Sequence, residues 1–240
     1  MDVTKLSRLS RKALPLKYCG AVIVAAGNAS RMKGVDKILA ELGGKPVIRR
    51  TTESFQACDA VSEIVIVTRP DLIPQLGALT RDLDKVTAVV AGGADRAESV
   101  RLGLNALSDK VKLAAIHDGA RPFASWQMID RVIRAGNSYG AAAPAIPVKD
   151  TIKIAKGGVV ESTPERKNLY AVQTPQVFDF DLLRGALKKA WEEKLPITDD
   201  CSAVEAMGMA VKLVEGEETN IKITTPLDLK LGEAILEETT

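Results

Sequence analysis

The sequence has few of the residues that build most metal and redox centres. Among its 240 residues there is one histidine, His117, and there are three cysteines, Cys19, Cys58 and Cys201. A single histidine excludes the usual multi-histidine zinc, copper and non-haem iron sites. Three cysteines without a C-x-x-C pair form neither a zinc knuckle nor a disulfide framework. We therefore expect reduced cysteines and a cytoplasmic location.

Excess charge and long apolar runs are also missing. Lys and Arg number 33 and Asp and Glu 31, so the formal net charge is +2, whereas a dedicated nucleic-acid binder carries a basic surplus. The longest apolar runs, residues 21–27 and 141–148, are far shorter than the roughly 18 residues that a membrane-spanning helix needs. We expect neither a nucleic-acid partner nor a membrane partner, so the chemistry must rest on Lys, Arg, Asp, Ser and Thr.

The first 17 residues differ in composition from the rest of the chain. Against the single acid Asp2 they contain five basic residues: Lys5, Arg8, Arg11, Lys12 and Lys17. Transit peptides are basic and poor in acids, so a targeting sequence is one interpretation. No apolar core of signal-peptide length precedes Tyr18, which argues against secretion. We interpret residues 1–17 as a short solvated extension and residues 18–240 as a single domain.

Apolar runs alternate with amphipathic segments from residue 20 to residue 137. This pattern predicts strands at 20–26, 62–68, 86–91 and 113–117 and helices at 46–57, 71–81, 95–107 and 125–137. Such repetition is typical of right-handed βαβ units in an open, mostly parallel sheet, and so of an α/β fold. Because ligands bind beyond the carboxyl ends of parallel strands, the loops after Ala26, Ala91 and Ile116 form the candidate site.

The alternation stops between about residues 140 and 175. Residues 151–155 and 159–161 flank the pair Gly157–Gly158, a pattern that predicts a β-hairpin with a glycine turn. A hairpin inserted into a parallel-sheet protein often projects as an arm, and the half-apolar faces of this one favour a dimer contact. Beyond the arm, the pattern predicts helices at 179–194, at 199–207 and from residue 226, with a strand at 210–215.

The loop after the first strand, AAGNASRM at 25–32, carries residues suited to phosphate binding. A glycine at a strand end lets backbone amides cradle a phosphate, and Arg31 and Lys37 add cations for the charge on phosphoryl oxygens. The loop is neither a P-loop nor a dinucleotide fingerprint. Taken alone, an ordinary strand-to-helix turn with solvated charges explains it equally well.

A glycine pair follows the third strand. Gly92 and Gly93 allow close backbone approach before a helix, and Arg96 and Ser99 could hydrogen-bond a base or a ribose. The alternative is an ordinary turn in which Asp95 caps the helix.

The segment HDGARP at 117–122 places a carboxylate at the tip of a buried strand. Asp118 there is a natural Mg²⁺ ligand, because magnesium prefers one or two carboxylates together with phosphate oxygens. Arg121 can hold a phosphate or fix the loop. Neighbouring residues of a strand face opposite sides of the sheet, so we expect His117 to be structural rather than a ligand.

Seven short segments form an ordered series over about residues 20–236: AAG-x3-RM-x4-K, GG-x2-R-x2-SV-x2-GL, HDGARP, PVKDTIK, QTPQ-x-F, ITDD and NIKITTP-x-DL. The series resembles the 2-C-methyl-D-erythritol 4-phosphate cytidylyltransferases of the non-mevalonate isoprenoid pathway. The resemblance implies a Rossmann-like nucleotidyltransferase fold and a homodimer held by the projecting arm at about 140–175. It also implies transfer of CMP from CTP to methylerythritol phosphate, with release of pyrophosphate.

The resemblance further implies roles for individual residues. For the CTP phosphates it implies Ala25, Ala26, Gly27, Arg31 and Lys37, and for the cytosine and ribose Gly93 and Ser99. For Mg²⁺ it implies Asp118, in a nucleotide-binding loop shared with Gly119 and Arg121. For the sugar phosphate it implies Thr151, Arg166, Thr174, Thr198 and Lys222. The catalytic cations are then Arg31, Lys37, Arg166 and Lys222. Thr151 and Arg166, on the arm, can serve the centre of the other subunit.

The chain departs from this family in its first loop. The family commonly reads AAG-x-G-x-R-M and ends in Pro-Lys, whereas here Ala29 replaces the second glycine, Asp36 replaces the proline and the loop is one residue shorter. Alanine where positive φ is needed costs about 1 kcal/mol. Asp36 is expected to place a negative charge beside Lys37 and near the nucleotide phosphates.

Two alternatives follow from the sequence. Close relatives transfer a cytidylyl group to ribitol 5-phosphate, and the CTP half of the site is alike in both. The other alternative is a nucleotide-binding module without catalysis, which the altered first loop alone supports.

Overall fold

The computed structural model of the protein describes residues 15–27 and 36–239. In chain order its strands are β1 (Cys19–Ala25), β2 (Glu41–Leu42), β3 (Lys45–Pro46), β4 (Glu63–Thr68), β5 (Val86–Ala91), β6 (Leu113–Asp118), β7 (Ala141–Pro147), β8 (Ile154–Lys156), β9 (Val159–Ser162), β10 (Tyr170–Val172), β11 (Gln176–Asp179) and β12 (Lys212–Glu215). Its helices are α1 (Val47–Gln56), α2 (Ile73–Thr80), α3 (Arg96–Ala106), α4 (Trp126–Tyr139), α5 (Phe180–Glu192), α6 (Asp200–Glu205) and α7 (Pro226–Thr239).

Four parallel strands form the half of the sheet that the sequence pattern predicts. Their order is β5-β4-β1-β6, and Val22 of β1 is aligned with Val65 of β4 and with Ile116 of β6. The predicted strands and helices of residues 20–137 are all present, with ends within two residues of the expected positions. Helices connect these strands, so the predicted α/β architecture is confirmed here.

Alternating side chains of these strands fill two hydrophobic layers. Ile23 and Ile64 belong to the layer that includes side chains of α1 and α4. Their neighbours Val22 and Val65 belong to the layer that includes side chains of α3. Successive strand residues point to opposite faces, so burial on both faces holds the strands, and therefore the loops at their carboxyl ends, in fixed positions.

The other half of the sheet contains strands that the sequence pattern does not predict. β11 runs antiparallel between β6 and β7, and β10 and β12 also pair with β7. β7 reads AAAPAIP, and alanine and proline have low strand propensity. β10 and β11 are short and flank Pro175. None of the three shows the alternation that predicts a strand, and the sheet is mixed although mostly parallel.

The predicted hairpin arm is present as β8 and β9, which pair with each other. Its first strand begins at Ile154 rather than at residue 151. Gly157 and Gly158 have φ of +57° and +82°, and two left-handed residues are what a tight two-residue hairpin turn requires. Val159 is 71% exposed, and every residue of both strands is exposed. A dimer contact through this apolar surface stays a prediction.

Helix caps agree with the sequence analysis. The Asp95 side chain accepts a hydrogen bond from the Glu98 amide at the start of α3. The Ser125 hydroxyl accepts one from the Met128 amide at the start of α4. Both satisfy amides that a helix end leaves unpaired.

None of the described helices combines the length and the apolar character that a membrane crossing requires. Cys19, Cys58 and Cys201 are buried and form no disulfide. The predicted extension, residues 1–17, lies outside the described residues except for its last three. The cytoplasmic location and the expected lack of nucleic-acid and membrane partners stay predictions.

Candidate nucleotide-binding site

A cleft of about 340 Å³ opens at the carboxyl ends of β1, β5 and β6. It lies where the sequence pattern places a ligand, because the three selected loops meet there. Ten of the candidate residues line it: Ala25, Ala26, Gly27, Lys37, Gly92, Gly93, Arg96, Ser99, Asp118 and Lys222. Their arrangement is therefore established, while their roles toward a ligand are a matter of proposal.

Close packing of two loops shapes the floor of the cleft. A Cβ on Gly92 would lie 2.4 Å from the Cβ of Ala26, so glycine is needed where the first and second loops meet. The Ser99 hydroxyl accepts a hydrogen bond from the Gly93 amide at 3.1 Å and donates one to the Asp95 carbonyl at 2.8 Å. Ser99 therefore holds the glycine turn in shape in addition to lining the cleft.

Asp118, the last residue of β6, is surrounded by cations. Its carboxylate lies 2.9 Å from Lys222 Nζ, 3.4 Å from Arg121 Nε and 3.7 Å from Arg96 Nε. Burial by itself would raise the pKa of Asp118, but the positive charges of Lys222, Arg96 and Arg121 outweigh it and hold that pKa well below its usual range. The carboxylate is therefore ionised at neutral pH.

Two hydrogen bonds bring Lys222 to the tip of β6. Arg121 Nη1 donates to the Asn220 carbonyl at 2.7 Å, and the Ile223 amide donates to the Ala120 carbonyl at 2.8 Å. Residues 220–223 are thus tied to the loop that follows Asp118. Arg121 thus ties its own loop to residue 220, while its role toward a ligand stays a prediction.

His117 is structural, as expected. Its ring is buried and packs against Phe55 with ring centroids 4.7 Å apart. Nε2–H donates to the Arg121 carbonyl at 3.1 Å, because a carbonyl can only accept. Nδ1 then accepts from the Thr174 hydroxyl at 3.0 Å, and that hydroxyl accepts from the Asp118 amide at 3.1 Å. Burial lowers the pKa of His117 to about 4, so the ring is neutral at pH 7.

Thr174 supports Asp118 from behind. It is buried two residues before β11 begins, and its hydroxyl is engaged by the Asp118 amide and by His117. It does not line the cleft, and the sugar-phosphate contact that the resemblance implies for it stays a prediction. The antiparallel insertion of β11, which the sequence pattern does not predict, accounts for this placement.

A buried ion pair orients Arg96 in the cleft. Arg96 Nη2 lies 2.7 Å from Asp200 Oδ2, and Asp200 is 1% exposed. Gln176 supports the same helix start, since its side-chain oxygen accepts from the amides of Asp200 and Cys201 at 3.1 Å. The sequence analysis did not select Asp200 or Gln176, although both belong to segments of the ordered series.

Arg69 is a cleft residue that the sequence analysis missed. It follows β4 and lines the cleft, and its guanidinium pairs with Asp36. The rule that selects loops after parallel strands applies equally to β4, so this residue could have been found. The pairing also changes the expectation for Asp36, because its charge is balanced by Arg69 beside the cleft.

Besides Thr174, five described candidate residues are not part of the cleft lining: Gly119 and Arg121, which follow Asp118, and Thr151, Arg166 and Thr198. Thr151 and Arg166 are exposed in the region of the arm, where Arg166 Nη1 donates to the Lys149 carbonyl at 2.9 Å. Thr198 is exposed before α6, and its amide donates to Ser202 Oγ at 3.0 Å. Arg31 and Ala29 lie outside the described residues.

In the cleft, a metal ion would have to be bound jointly by Asp118 and by a ligand that brings its own oxygen atoms. Among residues 15–27 and 36–239, no group of three or more His, Cys, Asp or Glu side chains could hold a metal ion. Mg²⁺ needs only one or two carboxylates when phosphates and water complete its shell. Asp118, ionised and lining the cleft, fits a Mg²⁺ ion that arrives with a polyphosphate.

The fold and the cleft define a protein of the Rossmann-like nucleotidyltransferase class, since glycine-rich strand ends, cations and one carboxylate meet where such folds bind nucleotides. Residues 19–238 match the family model of IspD, 2-C-methyl-D-erythritol 4-phosphate cytidylyltransferase. The chain belongs to this family.

Individual relatives agree over nearly the whole chain. The 2-C-methyl-D-erythritol 4-phosphate cytidylyltransferase of Clostridium novyi is 44% identical in an alignment of 229 positions that covers 92% of this chain and 97% of the relative. That of Geobacillus kaustophilus is 44% identical over 90% of this chain and 96% of its own length.

Solved structures agree as well. The 4-diphosphocytidyl-2C-methyl-D-erythritol synthase of Anaerococcus prevotii superposes with a TM-score of 0.84 at 33% identity, over 92% of this chain and 96% of its own. The 2-C-methyl-D-erythritol 4-phosphate cytidylyltransferase of Thermus thermophilus superposes with a TM-score of 0.75 at 35% identity, over 90% of this chain and 98% of its own.

The buried His117 predicts a loss of stability in mild acid. Its pKa is about 4 in the native protein against an ordinary 6.5, so the unfolded chain takes up a proton that the native protein does not. As pH falls from about 6.5 to 5, the free energy of unfolding should fall by about 2 kcal/mol. Urea denaturation in metal-free buffer measures this change.

His117→Gln is the matched control, because the chain has no other histidine. This variant should lose most of the pH dependence in that interval, whatever its absolute stability. An equal pH dependence in both proteins would contradict the assignment of a neutral, buried ring.

Proposed function

We propose that the protein transfers the cytidylyl group of CTP to 2-C-methyl-D-erythritol 4-phosphate and releases pyrophosphate, a step of isoprenoid precursor biosynthesis. The observation that carries this proposal is the meeting of the glycine-rich strand ends with Lys37, Lys222 and Asp118 in one cleft of a chain that belongs to the family.

The reaction is a displacement at phosphorus. A phosphate oxygen of the acceptor attacks the α-phosphorus of CTP, a new P–O bond forms, and the bond to the β-phosphate oxygen breaks as pyrophosphate leaves. A phosphate monoester has its second pKa near ~6, so the attacking oxygen is already anionic and needs no general base. His117 is buried and neutral, in keeping with a mechanism that requires positioning and charge stabilisation.

The phosphate chain belongs at the first loop. The backbone of Ala25, Ala26 and Gly27 lines the cleft, and Lys37 Nζ lies beside Gly27. A cation there can stabilise the charge that develops on the phosphoryl oxygens. Lys222 lines the same cleft, with its ammonium 2.9 Å from the Asp118 carboxylate. Arg31 completes this set in the proposal.

The nucleoside belongs at the second loop. Gly92, Gly93 and Ala94 line the cleft, and Ser99 keeps the Gly93 amide oriented. The Ala94 amide is held by the Glu98 carboxylate at 2.8 Å. These contacts give cytosine and ribose a preformed wall, with Arg96 at its edge.

Magnesium is part of the proposal. Asp118 would hold it jointly with phosphate oxygens of the nucleotide, and the low pKa of Asp118 keeps the carboxylate available as a ligand. When bound, Mg²⁺ neutralises charge on the phosphate oxygens. Gly119 and Arg121 maintain the loop around this carboxylate.

The acceptor site is proposed to involve a second subunit. Thr151 and Arg166 lie in the arm region and away from the cleft of their own chain. The exposed apolar residues of β8 and β9 offer a surface for a homodimer. A dimer through the arms would let these two residues surround the sugar phosphate together with the exposed Thr198 and with Thr174, which lies behind Asp118.

The acceptor is tested by pyrophosphate release. With CTP and Mg²⁺, turnover should occur with 2-C-methyl-D-erythritol 4-phosphate and be much slower with ribitol 5-phosphate. A preference for ribitol 5-phosphate would overturn the proposed acceptor. CTP binding by calorimetry without turnover on either acceptor would instead indicate a non-catalytic nucleotide-binding module.

The role of Lys37 is tested by removing its charge. Lys37→Ala should lower kcat by about 100-fold or more, the scale for losing one transition-state donor. Lys45→Ala is the control, because Lys45 pairs with Glu53 at 3.0 Å and does not line the cleft. Near-normal turnover of the Lys37 variant would refute its assignment.

The shared site predicts complementation between two inactive variants. Lys37→Ala and Arg166→Ala should each be nearly inactive. In an equal mixture of exchanged subunits, half the dimers are mixed and each has one intact site of two, so activity should return to about a quarter of wild type. No recovery, although sedimentation shows mixed dimers, would place Arg166 in its own chain's site.

A further inference from the structure

Asp36 shapes the turn that carries Lys37. Its carbonyl accepts hydrogen bonds from the Leu39 amide at 3.1 Å and the Ala40 amide at 2.8 Å. One oxygen of its side chain, Oδ1, accepts from the Ile38 amide at 3.0 Å. Such a carboxylate cap satisfies amides at the start of a turn and favours one backbone conformation.

The second side-chain oxygen of Asp36 is bound by Arg69. Oδ2 lies 2.5 Å from Arg69 Nη2, and the two side chains are only 19% and 24% exposed. Arg69 directly follows β4 and precedes a 3-10 turn that begins with Pro70. Because β4 lies within the sheet, paired to β1 and β5, Arg69 has a fixed base from which to hold the turn.

The two contacts together determine where Lys37 is placed. Lys37 immediately follows the capped residue, its ammonium lies beside Gly27, and Lys37, Ile38 and Arg69 all line the cleft. A lysine on a four-carbon chain has many rotamers, so its position depends on the backbone that carries it. The ion pair fixes that backbone relative to the sheet.

We propose that Asp36 and Arg69 are positioning residues for Lys37. Asp36 sets the turn, and Arg69 anchors Asp36 to the end of β4, so that the Lys37 ammonium faces the phosphate end of the cleft. This inference rests on the proposed function, because it concerns the same reaction. A simple electrostatic view predicts the opposite effect of neutralising Asp36. In that view Asp36 repels the nucleotide phosphates, so its neutralisation should tighten CTP binding.

Asp71 offers a matched control. Its carboxylate lies 3.4 Å from Nε of the same Arg69 but is 66% exposed, and among the described residues it forms no hydrogen bond or ion pair with residues 36–40. Asp71→Asn therefore removes the same charge from the same guanidinium without affecting the cap or the anchor of Lys37.

The experiment compares kcat and the KM for CTP in the full-length protein, with pyrophosphate release as the readout. Asp36→Asn and Arg69→Met should each lower kcat by about 10-fold or more, since small misplacements of a catalytic group can cost up to about 100-fold. The double variant should be no slower than the slower single variant, because both changes release the same turn. Asp71→Asn should match wild type.

A Lys37→Ala background separates positioning from general damage. There, adding Asp36→Asn or Arg69→Met should not lower kcat further, because the group they position is already missing. Further losses in that background, or a tighter CTP interaction in Asp36→Asn, would overturn the inference. A third result would also overturn the inference: Arg69→Met raises the KM for CTP while Asp36→Asn leaves kcat unchanged. That combination would indicate that Arg69 binds phosphate directly.

The proposed function is judged separately in the same assay. A wild-type protein without turnover overturns the proposed function and the inference together. Wild-type turnover with an unaffected Asp36→Asn variant overturns the inference alone. Thermal unfolding of each variant shows whether a slower enzyme is still folded. The inference is supported if Asp36→Asn gives a folded but slower enzyme and has no further effect on kcat in the Lys37→Ala background.

Discussion

The ionised carboxylate of Asp118 is the charge on which the rest of the site depends. It ends a strand whose residues are all buried, so it cannot move away from the cleft without disturbing the sheet. Three cations approach it, and their charges outweigh the cost of its burial. Placing a fixed negative charge at a strand end thus determines where Lys222, Arg121 and Arg96 can be.

The strand that supports this carboxylate runs against the direction of its neighbours. β11 pairs antiparallel with β6, and this pairing brings Thr174 behind Asp118 and Gln176 to the start of α6. The hydroxyl of Thr174 then connects the Asp118 amide to His117, which in turn holds the Arg121 carbonyl. A closed set of hydrogen bonds therefore stabilises the loop from the buried side, leaving the cleft side to cations and ligand.

Sequence periodicity predicts the parallel half of the fold because its strands are continuous apolar runs such as EIVIVT of β4. It fails for β7 and β11, whose stability comes from pairing with neighbours and not from their own composition. The same division applies to the site. Asp118 and Lys37 follow from strand ends and charge, whereas the contact between Arg96 and Asp200 joins residues 104 positions apart and depends on how α6 packs.

The resemblance to the family indicates where the nucleotide site lies, but it does not show which contacts of this chain form that site. Residue by residue, Asp36 is a departure from the family's proline that is expected to place a negative charge beside Lys37 and near the nucleotide phosphates. In three dimensions the same side chain caps a turn and binds Arg69. A substitution that looks adverse along the chain is compensated by a residue 33 positions away, and only the tertiary structure brings the two together.

Pairing of cations with acids also explains how a chain of net charge +2 can offer a polyphosphate site. Three cations of the cleft each have a carboxylate partner in the same chain: Lys222 with Asp118, Arg96 with Asp200 and Arg69 with Asp36. Ordering a long side chain on binding costs about 0.5–1.5 kcal/mol, and here that ordering is complete when the chain folds. A large basic surplus over the whole surface is therefore unnecessary, because each acid holds one cation in place at the cleft. Such a cation either faces the ligand, as proposed for Lys222, or anchors a neighbouring segment, as proposed for Arg69.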